Sequence, residues 1–457
     1  MKVLIAFHSL NNLGGIINNQ EGLYAGLRVL GHTVVVRRLE WKGTARAGKA
    51  TDMGRIVGEQ GMRYDQIGGW VWPLERRFAY KGKENLERWK TFAMKFDLII
   101  WQIPVPTRQK SNFGNLDWLE LYDVPVKQVA YIHDGNFKKQ YPWLYAVRKH
   151  LTGVVGVHPC AYNSLSLIDV PRAMAFSPQI GIESLLDNTS YAERSPGFLS
   201  LQTFKAWKHV GDLVRAVPYM HGVSKKLLAG GGLHYYYMTS KNKLKPEYKV
   251  SPKLDPDIQT EYIGRRVWEV AQEHGMKYLG YIHNDRRDRL LSKLRLLVDP
   301  SWSHTLAKQG DHFNRVVIDG IIRGCVPVAR NLGISTNELG KGELFKADEN
   351  YIMVPWNASP KEFGEIVSEA VGMGDKKYKR LLSAGRALLK HFDYRVTAQT
   401  FVDIAQGKPA GFYKKKEVGT YNKALQVACD LELNSFFSGR VVEKRGSDDE
   451  EPEGALF

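Results

Sequence analysis

Short apolar runs alternate along this chain with stretches whose apolar residues recur every three or four positions. The first run, residues 2–8, predicts a strand, and Asn11-Asn12-Leu13-Gly14-Gly15 a turn. Leu23, Leu27 and Leu30 then lie on one face of a helix ending before Gly31, and residues 33–36 form the next strand. Strands follow at 96–101, 126–132 and 153–158. A second series begins near 197, with strands at 198–202, 226–230, 277–281, 296–299 and 325–329 and a charged helix at 285–295. A strand-turn-helix-strand opening with glycine in its first turn marks a doubly wound domain. Its repetition predicts an α/β chain of two Rossmann-like domains facing each other across a cleft. The boundaries are drawn at 1–190 and 191–392. A helical segment, 393–445, returns to the first domain, and 446–457 is a disordered tail.

Length and charge refine this. At 457 residues the chain exceeds one typical domain, and no apolar run is long enough to span a bilayer. The N-terminus reads as a first strand, not a signal peptide. Cys160, Cys325 and Cys429 form no CxxC pair and no disulfide framework, which suits a reducing cytoplasm; Cys325, within an apolar strand, is read as core. The net charge is +17, and the last twelve residues hold five acids and no Lys or Arg. Without that tail the excess rises by five, to +22. Such a body favours a polyanion, either nucleic acid or an anionic membrane surface, or is simply a diffusely basic enzyme.

The densest candidate chemistry lies between Asp311 and Pro327. Asp311 and Asp319 stand eight positions apart, and the second is read as opening an apolar helical run that ends in Gly324-x-x-Pro327. Acids at a helix N-terminus are stabilised there, and free amides beside them hold anions. Amides for a diphosphate and carboxylates for sugar hydroxyls are what a nucleotide sugar requires. Alone, the spacing fits an ordinary capped helix as well. Asp255-Pro-Asp257 superficially matches a metal-binding pair, but it lies in a lysine-rich loop and reads as a turn.

Taken in order, Gly14-Gly15, His133, Lys208, Leu279-Gly280-Tyr281, Pro300-Ser301 and Asp311…Asp319…Gly324-x-x-Pro327 are similar to the motifs of retaining GT-B glycosyltransferases of the family 4 type, with Asp for Glu at both ends of the two-acid element. Within that group the chain looks most like the phage α-glucosyltransferases that modify 5-hydroxymethylcytosine in DNA. The narrower likeness rests on residues 96–105, on Tyr131-Ile132-His133-Asp134 and on Ala206-Trp207-Lys208.

The resemblance implies roles. Lys208 contacts the nucleotide diphosphate; a lysine at a helix start opposes the dipole unless an anion sits there. The family usually has Arg where Thr203 stands, and Lys205 is the substitute source of charge. Asp319 accepts from the nucleotide ribose, and Asp311 lies beside the transferred sugar. The amides of His312, Phe313 and Asn314 lie near phosphate or sugar, and Arg315 helps neutralise phosphate. Gly14 and Gly15 let the first domain approach the diphosphate. His133 and Asp134 are acceptor-side candidates: either takes the acceptor proton, or His133 hydrogen-bonds the donor sugar. No metal or other cofactor is expected.

The expected partners are a UDP-sugar, glucose first, and double-stranded DNA carrying hydroxymethyl pyrimidines. Arg76, Arg77, Lys81, Arg108, Lys110, Lys138 and Lys139 are the candidate phosphate contacts. A cytoplasmic monomer without stable membrane association is expected, in an infected host cell if phage-encoded. Two other readings stay open: a GT-B enzyme acting on a lipid-linked or polysaccharide acceptor, and an inactive DNA-binding relative.

Overall fold

The computed structural model describes residues 1–8, 15–40, 76–79, 83–102, 116–133, 137–157, 161–162, 165–203, 208–231, 267–280, 282, 284–301, 315–330, 344–355 and 357–411. Among them the strands form two wholly parallel sheets. The first contains β1 (Lys2–His8), β2 (Thr33–Glu40), β3 (Arg76–Ala79), β4 (Leu98–Gln102), β5 (Lys127–Ile132), β6 (Gly153–Gly156) and β7 (Arg172–Met174), in the order β3-β2-β1-β4-β5-β6-β7. The second contains β8 (Ser195–Thr203), β9 (Lys225–Gly231), β10 (Lys277–Tyr278), β11 (Leu294–Asp299), β12 (Val326–Arg330) and β13 (Ile352–Val354), in the order β10-β9-β8-β11-β12-β13.

The α-helices among the described residues are α1 (Gly15–Val29), α2 (Lys83–Ala93), α3 (Phe137–Val147), α4 (Val210–Ala216), α5 (Val267–Glu273), α6 (Asn284–Leu291), α7 (Val316–Ile322), α8 (Pro360–Val371), α9 (Asp375–Ala387) and α10 (Tyr394–Ala405), with a single turn at Ile182–Leu185.

Parallel strands covered on both faces read as unbroken apolar runs, and β4 is buried throughout. Its residues alternate between two cores. Leu98 and Ile100 pack with α1 and α10 through Leu23, Leu27 and Phe401. Ile99 and Trp101 pack with Trp89, Tyr122 and Trp143. In both sheets the order reverses beside the first strand, between β1 and β4 and between β8 and β11. Open α/β sheets bind ligands at such points, beyond the carboxyl ends of the strands.

Three sequence expectations need correction. The charged helix ends at Leu291, not 295, because Leu294 already begins β11. Asp319 does not open its helix: α7 begins at Val316 and Asp319 lies inside its first turn. Arg76 and Arg77, read only as part of a basic-aromatic segment, form an edge strand paired with Arg37 and Arg38 of β2.

Gly324 shows why Gly-x-x-Pro follows α7. Its φ of +78° favours glycine, and a Cβ there would stand 2.2 Å from Nη2 of Arg194. The Arg194 side chain is fully buried; its Nη1 donates to the carbonyls of Leu291 (3.0 Å) and Leu294 (3.1 Å), and it pairs with Asp187 at 3.4 Å. Cys325 is core as expected: burial pushes its thiol up to about 12, which leaves it unreactive. We expect Gly324→Ala to lose about 2–4 kcal/mol of unfolding free energy, from combined backbone strain and overpacking. Urea denaturation would check this, and an unchanged midpoint would contradict the packing described.

Candidate functional site

The polar groups of the second sheet gather where its strand order reverses. Gln202, near the end of β8, donates through Nε2 to Oδ1 of Asp299 at 2.8 Å, the last residue of β11. The Ser301 hydroxyl donates to Oε1 of Gln202 at 3.1 Å, and its amide to Asp299 Oδ1 at 3.1 Å. All three side chains are buried, so the cluster bridges the switch point with its hydrogen bonds satisfied internally. Lys208 follows β8 and is only 6% exposed, beside the start of α4. The turn between them places His209 at φ +46°. Asp212, in the first turn of α4, is met by three basic side chains: His209 Nδ1 at 3.6 Å, Arg215 at 2.7 Å and Arg330, at the end of β12, in direct contact.

Asp319, 5% exposed, has both carboxylate oxygens engaged. Oδ1 accepts from Nε2 of Gln179 at 2.9 Å and Oδ2 from Nη1 of Arg287 at 2.8 Å. Oε1 of Gln179 accepts from Nε and Nη2 of Arg315, at 3.0 and 2.5 Å. Arg287 also donates to Asp288, whose second oxygen accepts from Arg323 at 2.8 Å.

In the first sheet the centre is His133, directly after β5. Its Nε2 lies 2.8 Å from Oε1 of Gln102, at the end of β4, and its Nδ1 lies 2.8 Å from Nδ2 of Asn19, on α1. The Ser177 hydroxyl donates to Oδ1 of Asn19. One proton assignment satisfies the whole chain: Ser177 donates to Asn19, Asn19 donates to Nδ1, and a proton on Nε2 is donated to Gln102. The imidazole is therefore neutral with both nitrogens committed, and burial lowers its pKa to about 3. The rings of His133 and Tyr131 lie 4.1 Å apart. Burial raises the Tyr131 hydroxyl pKa.

The described residues include His133, Lys208, Arg315 and Asp319 with their side chains. Gly15 is the first residue of α1 and Thr203 the last of β8, both at carboxyl-end positions of their sheets. Arg76 and Arg77 lie on β3, and Lys138 and Lys139 on α3, with their side chains outside the described set. Gly14, Lys81, Arg108, Lys110, Asp134, Lys205, Asp311, His312, Phe313 and Asn314 lie outside the described residues, as do Asp255 and Asp257. The structure brings Asp319 together with Arg315 through Gln179, and leaves Lys208 buried between β8 and α4. Sequence reading missed Asn19, Gln102, Ser177, Gln179, Gln202 and Arg287. Gln102 and Gln202 carried a usable signal, since each is a polar residue closing an apolar strand.

No protein-family model matches the chain, and no curated protein matches its sequence. Solved structures match its fold. HepE of Anabaena, in complex with UDP, superposes with a TM-score of 0.60 at 13% identity, covering 89% of this chain and 100% of that one. An α-glucosyltransferase in complex with UDP-glucose and DNA containing an abasic site gives 0.58 at 12% identity, over 89% and 99%. TarM of S. aureus, in complex with fondaparinux, α-GlcNAc-glycerol and UDP, gives 0.54 at 10% identity, over 89% and 100%. Two parallel sheets with reversing strand order and covering helices, shared over that length, define the GT-B fold.

The depressed His133 pKa has a consequence for stability. The unfolded chain protonates this histidine near its ordinary 6.5, while the folded protein resists until about pH 3. Between those values the unfolded state binds more protons, so stability falls as pH falls from about 6.5 toward 3, by up to about 1.4 kcal/mol per pH unit. Above that window the group has no effect. His133→Asn should flatten this part of the stability–pH curve relative to the unsubstituted protein. Urea titrations at several pH values would show it, and parallel curves would refute the assignment.

Proposed function

We propose that the chain is a retaining glycosyltransferase that moves a sugar, glucose first, from a UDP-sugar to the hydroxymethyl group of a modified pyrimidine in DNA. The observation carrying this reading is that the buried residues Lys208 and Asp319 follow, along the chain, β8 and β11, the two strands that flank the switch point of the second sheet. That is where a Rossmann-like domain takes a nucleotide. Support for the donor comes from UDP bound by HepE and TarM and UDP-glucose bound by the α-glucosyltransferase. Support for DNA comes from the DNA bound by the α-glucosyltransferase and from the net charge of +17.

In this reading the bond from the sugar anomeric carbon to the diphosphate oxygen breaks, and UDP leaves with the electron pair. A bond to the acceptor oxygen forms on the same face, and the hydroxyl proton is released. The charge growing on the diphosphate is met by Lys208, with Arg315, Lys205 and the amides of His312, Phe313 and Asn314 assigned to the same end. Gly14 and Gly15 approach from the first domain, and Thr203 closes β8 beneath the phosphates. Asp319 takes ribose hydroxyls and Asp311 the transferred sugar. No metal is assigned to a step.

His133 is assigned to the donor-sugar side rather than to proton abstraction, acting there through Gln102, because both ring nitrogens are already bonded to Asn19 and Gln102. A pKa near 3 makes it a weak base at neutral pH. The Gln102 amide nitrogen beside it is buried without a protein acceptor, a donor suited to a sugar oxygen. Asp134 is the remaining acceptor-side base. Arg76, Arg77, Lys81, Arg108, Lys110, Lys138 and Lys139 are assigned to DNA phosphates. We place the protein in the cytoplasm as a monomer; no helix among the described residues is long and apolar enough to cross a membrane.

A second reading keeps the donor and replaces DNA with a lipid-linked or polysaccharide acceptor, favoured by the α-GlcNAc-glycerol bound to TarM. The deciding assay measures UDP release from a panel of UDP-sugars with unmodified, 5-hydroxymethylcytosine and 5-hydroxymethyluracil duplexes, with digested DNA weighed for an added sugar. An adduct on one hydroxymethyl base is expected. UDP release indifferent to DNA would move the acceptor to a glycan, and tight DNA binding without any donor turnover would indicate an inactive relative. Lys208→Ala should lower transfer about 100-fold or more, and Asp311→Asn should do likewise; normal rates in both would dismantle the donor-site assignment.

A further inference from the structure

The chain leaves the first sheet for the second through residues 175–181 and comes back through 392–394. The two crossings are joined by a parallel bridge between Gln179 and Asp393. The Gln179 amide donates to Phe392 O at 2.6 Å, and the Tyr394 amide donates to Gln179 O at 3.2 Å. Gln179 is thus fixed by its backbone before its side chain is considered.

That side chain is 1% exposed and stands between two opposite charges. Arg315 and Asp319 are four residues apart at the start of α7, a spacing at which an acid and a base on one helix face reach each other. In the structure they are bridged through the Gln179 amide, which accepts from Arg315 through Oε1 and donates to Asp319 through Nε2. An amide is a neutral group that presents a donor to the carboxylate and an acceptor to the guanidinium together. It satisfies both charges while keeping them apart.

The same crossing reaches the other half of the site. Ser177, two residues earlier, donates to Asn19, the partner of His133. The Tyr131 hydroxyl lies 3.3 Å from Ala175 O and 3.4 Å from Phe176 O.

We propose that Gln179 is a positioning residue for the nucleotide: its amide spaces Arg315 from Asp319, so that the guanidinium faces phosphate while the carboxylate takes ribose hydroxyls. The inference rests on the function proposed above. Replacing the amide with an apolar side chain lets Arg315 and Asp319 close into a direct ion pair, which competes with the ligand for both groups.

The test is UDP binding by titration calorimetry to the full chain, with Gln179→Leu and Gln179→Glu, at pH 8 and pH 6. Gln179→Leu should weaken binding about 10- to 100-fold at both pH values, the worth of one or two hydrogen bonds to charged groups. Gln179→Glu keeps the acceptor for Arg315 but sets a carboxylate against Asp319. It should bind weakly at pH 8 and recover toward the unsubstituted protein at pH 6, as the new carboxyl takes a proton and donates again. A purely structural role would not produce that recovery. Affinities within about twofold of the unsubstituted protein in both variants would overturn the proposal alone. So would loss of the cooperative thermal transition in both variants, which would make Gln179 a folding residue. No UDP binding by the unsubstituted protein would instead remove the proposed function, and this inference with it.

Discussion

Within a sheet whose strands all run one way, each strand delivers its final residue to the same edge, and both faces of its middle are closed by helices. A buried polar side chain along the middle of such a strand has few partners, because the backbone groups already bond each other. The edge is where loops and helix starts can supply partners. Gln102, His133, Gln202, Asp299, Ser301 and Lys208 all fall there. Desolvation then acts on what is collected: the His133 imidazole stays neutral because burial disfavours its charged form and its two nitrogens are bonded to neutral amides.

The second half treats charge differently. Around Asp319 the acids and bases alternate, from Arg323 through Asp288 and Arg287 to Asp319. Aspartate is one methylene shorter than the glutamate common at this position in the resembled family. Here the shorter side chain is met by Arg287 and Gln179, each within 2.9 Å. The carboxylate is held by its neighbours, and its reach toward a ligand is set by where those neighbours stand.

What the sequence made legible was local. Residues 2–8 and 126–132 declared themselves as strands by apolar runs, and Gly324 by its place after an apolar helix. Lys208 and Asp319 were singled out by motif order. Asn19, Gln179 and Arg287 were not, because their partners lie 114, 140 and 32 residues away and no local pattern encodes such a pairing. The end of α6 was misjudged for a related reason: the charged pattern continues past Leu291, yet β11 claims Leu294 for the sheet core. The edge strand β3 was hidden because its arginines read as a ligand surface before they read as a strand.

Helix α1 meets the crossings through glycine. A Cβ on Gly22 would lie 2.6 Å from Pro178, and one on Gly26 would lie 2.3 Å from the carbonyl oxygen of Tyr394. The core beneath α1 includes Phe401 and Ile404 of α10 alongside Val3 and Leu23. The first sheet is thus made early and finished late. During synthesis, α1 must wait for a helix more than 350 residues downstream, which at ordinary elongation rates is roughly 20 to 75 seconds. Throughout that interval the apolar face that α10 covers in the finished fold lacks that cover, and the oldest domain is the last to be complete.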